Sequence, residues 1–278
     1  MSILQCASYR LSLERPLVMG IVNLTPDSFS GDGLVGDVDH AIQHARQQLE
    51  AGADILDIGA ESSRPGAVPT PEDEELRRLL PVLREITTWG VPVSVDTYKP
   101  AVMRMALEAG ASMINDIAGM TRPGALAAVA ESDCAVCVMH MQGEPGTMQQ
   151  TPNYGDVVGE VRSFLDDCVM RCRGAGIARE RLLLDPGFGF GKTLQHNLAL
   201  FRALGGGALG DLPLLVGVSR KSMLGAITGH PVEQRLASSV AAALMAAQKG
   251  AKILRVHDVA ATRDALAVWA AIEQGDVS

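Results

Sequence analysis

Long apolar runs are missing from this chain. The best of them, Val240 to Ala247, has the length of a buried helix face and falls far short of a membrane span. The opening MSILQCASYRLSLERPLVMG has no continuous apolar core, so no signal peptide is expected, and the cytoplasm is the expected location. Positive charge is also scarce, with 24 Lys+Arg against 32 Asp+Glu and a net charge of −8. That balance argues against a broad nucleic-acid surface, so any anion site must be a local basic cluster. Aromatics make up only 4%, whereas apolar residues reach 47% and glycines number 29. Such a composition supports a sizeable core in a loop-rich α/β architecture.

Cysteine is sparse too: five, at 6, 134, 137, 168 and 172. Cys134 and Cys137 have the spacing of half a zinc site but lie in the run CAVCVMH, which reads as a strand, where residues three apart face opposite ways. Cys168 and Cys172 share a helix face with no further ligands at a recognisable spacing, so all five are expected to be reduced core or surface thiols. His40 and His44 stand one helical turn apart, but Ala41 occupies the place where a zincin needs glutamate.

What is present is a repeat of strand and helix signals. Apolar runs fall at 18–22, 55–59, 93–96, 113–116, 135–140, 182–185, 214–219 and 253–257, with amphipathic stretches between most of them. Strands apolar on both faces and separated by helices make a parallel sheet. Eight such units in one chain of this length predict a single-domain (β/α)8 barrel, a TIM barrel, over about 16–275. The alternating segment 1–15 predicts a short N-terminal β-hairpin plugging the barrel bottom.

The residues that end these runs carry the chemistry. In order they are Asn23; Asp57 with Glu61 to Arg64; Asp96; Asn115-Asp116; His140; Asp185; Ser219-Arg220-Lys221; and Arg255 with His257. A barrel brings all of these ends to one mouth. A polar residue often ends a strand merely because the chain is leaving the core, but carboxylates inside ILDIG, VSVD and LLLD would be costly there without partners.

Asp96, Asn115, Asp185 and Lys221 suit a planar heterocycle bearing adjacent N–H and NH₂ donors, with Met139 and Phe190 as candidates to cover its faces. Asn23, Arg64, Arg255 and His257, with Ser63 and Thr25, suit an anion such as a diphosphate, and the Asn23 oxygen suits Mg²⁺ held mostly by substrate oxygens and water. For Arg255 and His257, ordinary ion pairing with Asp258 or Asp57 is the competing reading. Two long loops, NLTPDSFSGDGLVGD and ESSRPGAVPTPED, have the make-up of mobile mouth loops.

LLLDPGFGFGKT imitates a phosphate loop, but a Walker loop needs glycine where Pro186 stands, and a dinucleotide fingerprint would need glycine at Lys192. Asp185 is then its chemical residue, with Lys192 assisting at the mouth.

NLTPDSFSGDG, ESSRPGA, SVDTYKP, INDIAG, VMHMQG, LLLDPGFGFGKT, GVSRKSMLG and RVHDV, in this order, resemble the dihydropteroate synthase family over about 16–262, in its monofunctional bacterial form. The resemblance implies condensation of 6-hydroxymethyl-7,8-dihydropterin diphosphate with 4-aminobenzoate, with Mg²⁺ as cofactor. It assigns the pterin to Asp96, Asn115, Met139, Asp185, Lys221 and Arg255, and the diphosphate to Asn23, Ser63, Arg255 and His257. Aminobenzoate would lie among Arg64, Pro65, Phe190, Lys221 and Ser222; catalysis would rest on Asp96, Asp185, Lys221, Arg255 and His257; Asn23 would ligate the metal. It also implies a homodimer through the last helices, where SSVAAALMAA offers a close-packing surface. The charge balance and the short apolar runs lead to no expected nucleic-acid or membrane partner.

Two departures stand out: Ser63 occupies the usual threonine position, and SFSGDGL moves the first-loop acid to Asp32. The rival reading is a pterin-binding methyltransferase domain serving a corrinoid protein, which would need neither a diphosphate trap nor the SRKS segment.

Overall fold

The computed structural model describes residues 2–24, 38–62 and 66–275. Its main sheet has eight parallel strands: β3 (Leu17–Asn23), β4 (Ile55–Gly59), β5 (Val93–Asp96), β6 (Met113–Asp116), β7 (Ala135–Met139), β8 (Leu182–Asp185), β9 (Leu215–Val216) and β10 (Ile253–Val256). Neighbours pair in the order β8-β7-β6-β5-β4-β3-β10-β9, and a parallel bridge from Leu184 to Leu214 joins the two ends, closing the predicted barrel. Each crossover carries a helix: α1 (Val38–Glu50), α2 (Glu72–Ile86), α3 (Pro100–Glu108), α4 (Ala125–Ala130), α5 (Val157–Gly174), α6 (Leu194–Arg202), then the short α7 (Ser222–Thr228) before α8 (Leu236–Gln248), and finally α9 (Val259–Gln274).

Local chemistry explains these helices. α2 opens on Glu72, Asp73, Glu74 and Glu75 and has Arg84 in its last turn, matching the helix dipole at both ends. Its buried Leu79, Val82, Leu83 and Ile86 recur at the helical period. Pro81 lies inside it on the exposed side, where the carbonyl left without a donor can meet water. α6 is capped by Thr193, whose hydroxyl accepts from His196 N at 3.2 Å while its own N–H donates to His196 Nδ1 at 3.3 Å. The threonine of the phosphate-loop imitation is therefore a helix cap.

The hairpin β1 (Ile3–Cys6) and β2 (Tyr9–Ser12) does plug the bottom. Leu4, Cys6 and Leu13 form one buried cluster with Met19, Ile55, Met113, Cys137, Leu183, Leu215 and Ile253. The seventh strand is shorter than its apolar run predicts. Beyond Val216 the chain turns toward Arg220, which sits at φ +57, while Val218 and Ser219 stay buried as loop.

Candidate active site

Side chains two apart on a strand share a face, and this rule builds the site. Two residues beyond the plug cluster's Ile55, Met113, Cys137, Leu183 and Ile253 stand Asp57, Asn115, Met139, Asp185 and Arg255. Asp96 ends β5 beside Asn115, its register partner. The barrel interior therefore changes from an apolar floor to a polar layer within one strand period. Asp116 has the opposite parity and turns away, its carboxylate accepting from Ala118 N and Met120 N at 2.7 Å each.

Arg255 organises the layer. Its Nε donates to Asp57 Oδ2 at 2.6 Å and its Nη2 to Asp96 Oδ2 at 2.8 Å. The ion-pair reading thus holds for Arg255 with Asp57 and, beyond expectation, with Asp96, whereas Asp258 pairs with Arg220 at 2.6 Å. Burial works against the Arg255 charge, yet Asp57 and Asp96 together raise its pKa above the ordinary arginine value. Burial pushes Asp96 up to about 7 against the pull of Arg255. It also raises Asp185, opposed by Lys221, and brings Lys221 down to about 8, opposed by Asp185.

Among the described residues burial leaves four side-chain atoms unsatisfied, Gln48 Oε1, Ser94 Oγ and two in this polar layer. Those two are Asn115 Oδ1 and Asp57 Oδ1. A buried acceptor without a donor costs about 1–3 kcal/mol, which a ligand N–H would recover.

The loop after β8 is shaped by close approach. A Cβ on Gly187 would lie 1.8 Å from His140 O, and on Gly191 2.4 Å from Gln142 O, with both residues at positive φ. Gly187 N donates to Asp185 Oδ1 at 2.7 Å, fixing that carboxylate. Lys221 Nζ donates to Phe188 O and lies 4.5 Å from the centre of the Phe190 ring. Gly187→Ala is expected to lower the melting temperature by roughly 10 °C, because backbone must move aside. Gly90→Ala is the control: its φ of +72° is equally left-handed, but nothing lies within 4 Å of the added carbon. Calorimetry showing equal losses for the two would refute the clash.

Lys192 is the main correction. It does not reach out from the mouth toward a substrate but is 3% exposed, bonded to His140 Nδ1 at 2.9 Å and to the carbonyls of Gly187 and Phe190 at 2.9 and 3.0 Å. Three loop carbonyls and the His140 ring within reach hold the Lys192 head group inward. His140 is thereby taken from the list of mouth residues.

His257 lies just past β10, its Nδ1 3.0 Å from the Ser219 hydroxyl, which orients the ring. Asn23 ends β3, half-buried, and Ser222 opens α7 on an exposed position next to Lys221. Thr25, Asp32, Ser63, Arg64 and Pro65 lie outside the described residues. The base of the second loop is held by Lys99, which bonds Glu61 and Glu75, and by Tyr98 OH donating to Glu61 at 2.8 Å. Sequence reasoning placed Asp57 among the strand ends at the mouth and as a possible partner of Arg255, but gave it no part in binding substrate. Its parity with Arg255 relative to the apolar floor was the available signal.

This polar layer, with flanking aromatics and cations at a barrel mouth, defines a pterin-binding barrel enzyme, and the family model described as "Pterin binding enzyme" matches residues 19–257. Dihydropteroate synthase from Escherichia coli K12 is 50% identical over 259 residues, covering 93% of this chain and 92% of that protein. The Burkholderia cenocepacia dihydropteroate synthase complexed with 7,8-dihydropteroate superposes with a TM-score of 0.90 at 51% identity, covering 99% and 97% of the two chains. The Xanthomonas albilineans enzyme with 4-aminobenzoic acid gives 0.92 at 50% identity, covering 98% of each chain. The chain belongs to the dihydropteroate synthase family.

Proposed function

We propose that this protein joins 6-hydroxymethyl-7,8-dihydropterin diphosphate to 4-aminobenzoate, giving 7,8-dihydropteroate and pyrophosphate for folate biosynthesis. The unsatisfied, buried Asn115 Oδ1, in the layer that also holds Asp96 and Asp185, carries this reading, because the N–H and NH₂ groups of a pterin ring supply the donor it lacks. Asp96 and Asp185 accept from the pterin's amino and ring N–H groups, Lys221 meets an acceptor on the ring, and Met139 and Phe190 cover its faces.

Leaving-group charge is neutralised by Arg255 and His257, which is electrostatic catalysis without a strong base. The dihydropterin shares the positive charge left on its exocyclic carbon, and the carboxylates beneath stabilise it while the neutral aniline nitrogen attacks. Lys221, Ser222 and Phe190, with Arg64 and Pro65, frame the aminobenzoate.

Among the described residues no three His, Cys, Asp or Glu are grouped to hold a metal. One neutral oxygen from Asn23 nevertheless fits Mg²⁺, which prefers phosphate and water oxygens over a protein cage. When bound, the ion supplies further charge neutralisation at the diphosphate, to which Ser63 would also donate. No described helix is long and apolar enough to cross a membrane, and all five cysteines are free and buried, which fits a reducing cytoplasm.

The purified protein with Mg²⁺, the pterin diphosphate and 4-aminobenzoate is expected to release pyrophosphate, and no release from folded protein would defeat the reading. His257→Ala is expected to cut that rate about 100-fold with little loss of melting temperature, as loss of a charge-stabilising group does. Asp116→Ala should do the reverse, because it unties a buried turn. Equal rate losses would show the anion cluster to be misassigned.

The assembly is a homodimer on this reading. The exposed large apolar side chains Ile227, Leu236, Met245, Val268 and Ile272 run from α7 to α9, and such a patch asks for a partner. Sedimentation should give twice the chain mass, and Val268→Asp with Ile272→Asp should halve it. A wild-type monomer at micromolar concentration would overturn this.

A further inference from the structure

Lys192 does none of the work assigned above, yet it is among the most deeply placed cations of the molecule. Its ammonium reaches four acceptors: His140 Nδ1 at 2.9 Å, Gly187 O at 2.9 Å, Phe190 O at 3.0 Å and His140 O at 3.3 Å. Two of these belong to the loop after β7 and two to the loop after β8, so one buried amine, whose pKa burial brings down to about 7 against the pull of Asp185, ties two neighbouring loops at the mouth. His140 serves as acceptor only when neutral, and burial with the Lys192 charge beside it lowers its pKa to about 3. The ring is packed edge-on against Phe164, with 4.9 Å between centroids. Gly187 bears no side chain because the His140 carbonyl occupies that space.

The tie leads directly to the site. Gly187, whose carbonyl is held by Lys192, donates its own N–H to Asp185 Oδ1 at 2.7 Å. The turn continues to Phe188, whose carbonyl accepts from Lys221, and Phe190 N closes it on Gly187 O at 3.1 Å.

We infer that Lys192, seated on neutral His140, is a positioning residue for the pterin site: it clamps the 187–190 turn and through the Gly187 N–H sets the Asp185 carboxylate for the ring. The inference rests on the pterin reading of Asp185. Lys192 touches no substrate; its removal leaves the carboxylate in place but unaimed. A bidentate contact requires both oxygens aligned, so misorientation costs affinity rather than charge.

The test is titration calorimetry of the pterin diphosphate with Mg²⁺, without aminobenzoate, at a temperature where each variant is folded by circular dichroism. Lys192→Met keeps the stem and is expected to raise Kd about tenfold. His140→Asn, which retains an acceptor near the Nδ1 position, should stay within threefold of wild type, whereas His140→Leu should match Lys192→Met. If the lysine acts through Asp185, Lys192→Met added to Asp185→Asn should cost no more than about threefold beyond Asp185→Asn alone. Full multiplication of the two losses, or an unchanged Kd in Lys192→Met, overturns the inference. Should Lys192→Met not fold, the contrast between His140→Asn and His140→Leu decides it, and equal Kd values for that pair would sink it. Absence of pterin binding by wild type would instead sink the functional reading, and the inference with it.

Discussion

Arg255→Met lowers the pyrophosphate-releasing rate about 1,000-fold, the largest loss expected of any single substitution in this site. Two separate terms add. The first is chemical: a preorganised cation facing developing negative charge is worth about 3–4 kcal/mol in a site that excludes water. The second lies in the ground state. Arg255 holds Asp57, which is fully buried, and Asp96, so its removal leaves two carboxylates facing each other without a counter-charge. Breaking a buried pair on one side costs about 3–5 kcal/mol of stability, and part of that is relieved if a carboxylate takes up a proton. Arg255→Met should therefore also lower the melting temperature, and should lose less stability at pH 5 than at pH 8. Asp57→Asn separates the terms. It leaves the guanidinium in place with a neutral buried partner, so it should slow the reaction far less, about tenfold, by loosening the aim of Arg255. Stopped-flow or coupled pyrophosphate assays with a melting curve for each variant check both terms. If Asp57→Asn costs as much rate as Arg255→Met, the arginine acts only as structural filling.

Asp185→Asn weakens binding of the pterin diphosphate about 30- to 100-fold, the value of about 2–3 kcal/mol for a charge-assisted hydrogen bond turned into a mismatched one. An asparagine at 185 can still accept from the Gly187 N–H through its oxygen, so the loop keeps its shape. Its amide NH₂ then points a donor at the ring's donors, where a carboxylate would accept. Asp116→Asn is the contrast: that side chain caps an outward turn and should leave the pterin Kd within threefold of wild type. Calorimetric titration of both variants provides the measurement. Equal weakening would mean that the inward and outward faces of the strands had been exchanged.

Much of the fold was legible in one dimension. Hydrophobic runs located every strand, because a parallel strand covered on both faces must be apolar throughout and its run length shows in the sequence. The exception is the seventh, where the run outlasts β9: burial of Val218 and Ser219 needs apolar or small residues whether or not they pair in a ladder. The inward carboxylates were legible for a related reason. Asp96 and Asp185 end apolar runs that would not carry charge without a use, and period-two parity assigns their face. Lys192 was not legible. A lysine after glycines reads the same whether its stem runs out to a phosphate or back into a wall of carbonyls, and only the packing of the loops after β7 and β8 separates these.

By itself, then, the sequence determined which residues form strands, which acids lie inside, and that no nucleotide loop follows β8, since backbone N–H supply and side-chain parity are local properties. The tertiary structure decided who meets whom. It joined Arg255 on the last strand to Asp57 and Asp96 on the second and third barrel strands, 198 and 159 positions away in the chain. It also turned Lys192 onto His140 and left Asn115 Oδ1 waiting for a donor. These are consequences of closing the barrel, which brings residues distant in sequence within a hydrogen bond of one another and makes each buried group's partner a property of the whole ring of strands.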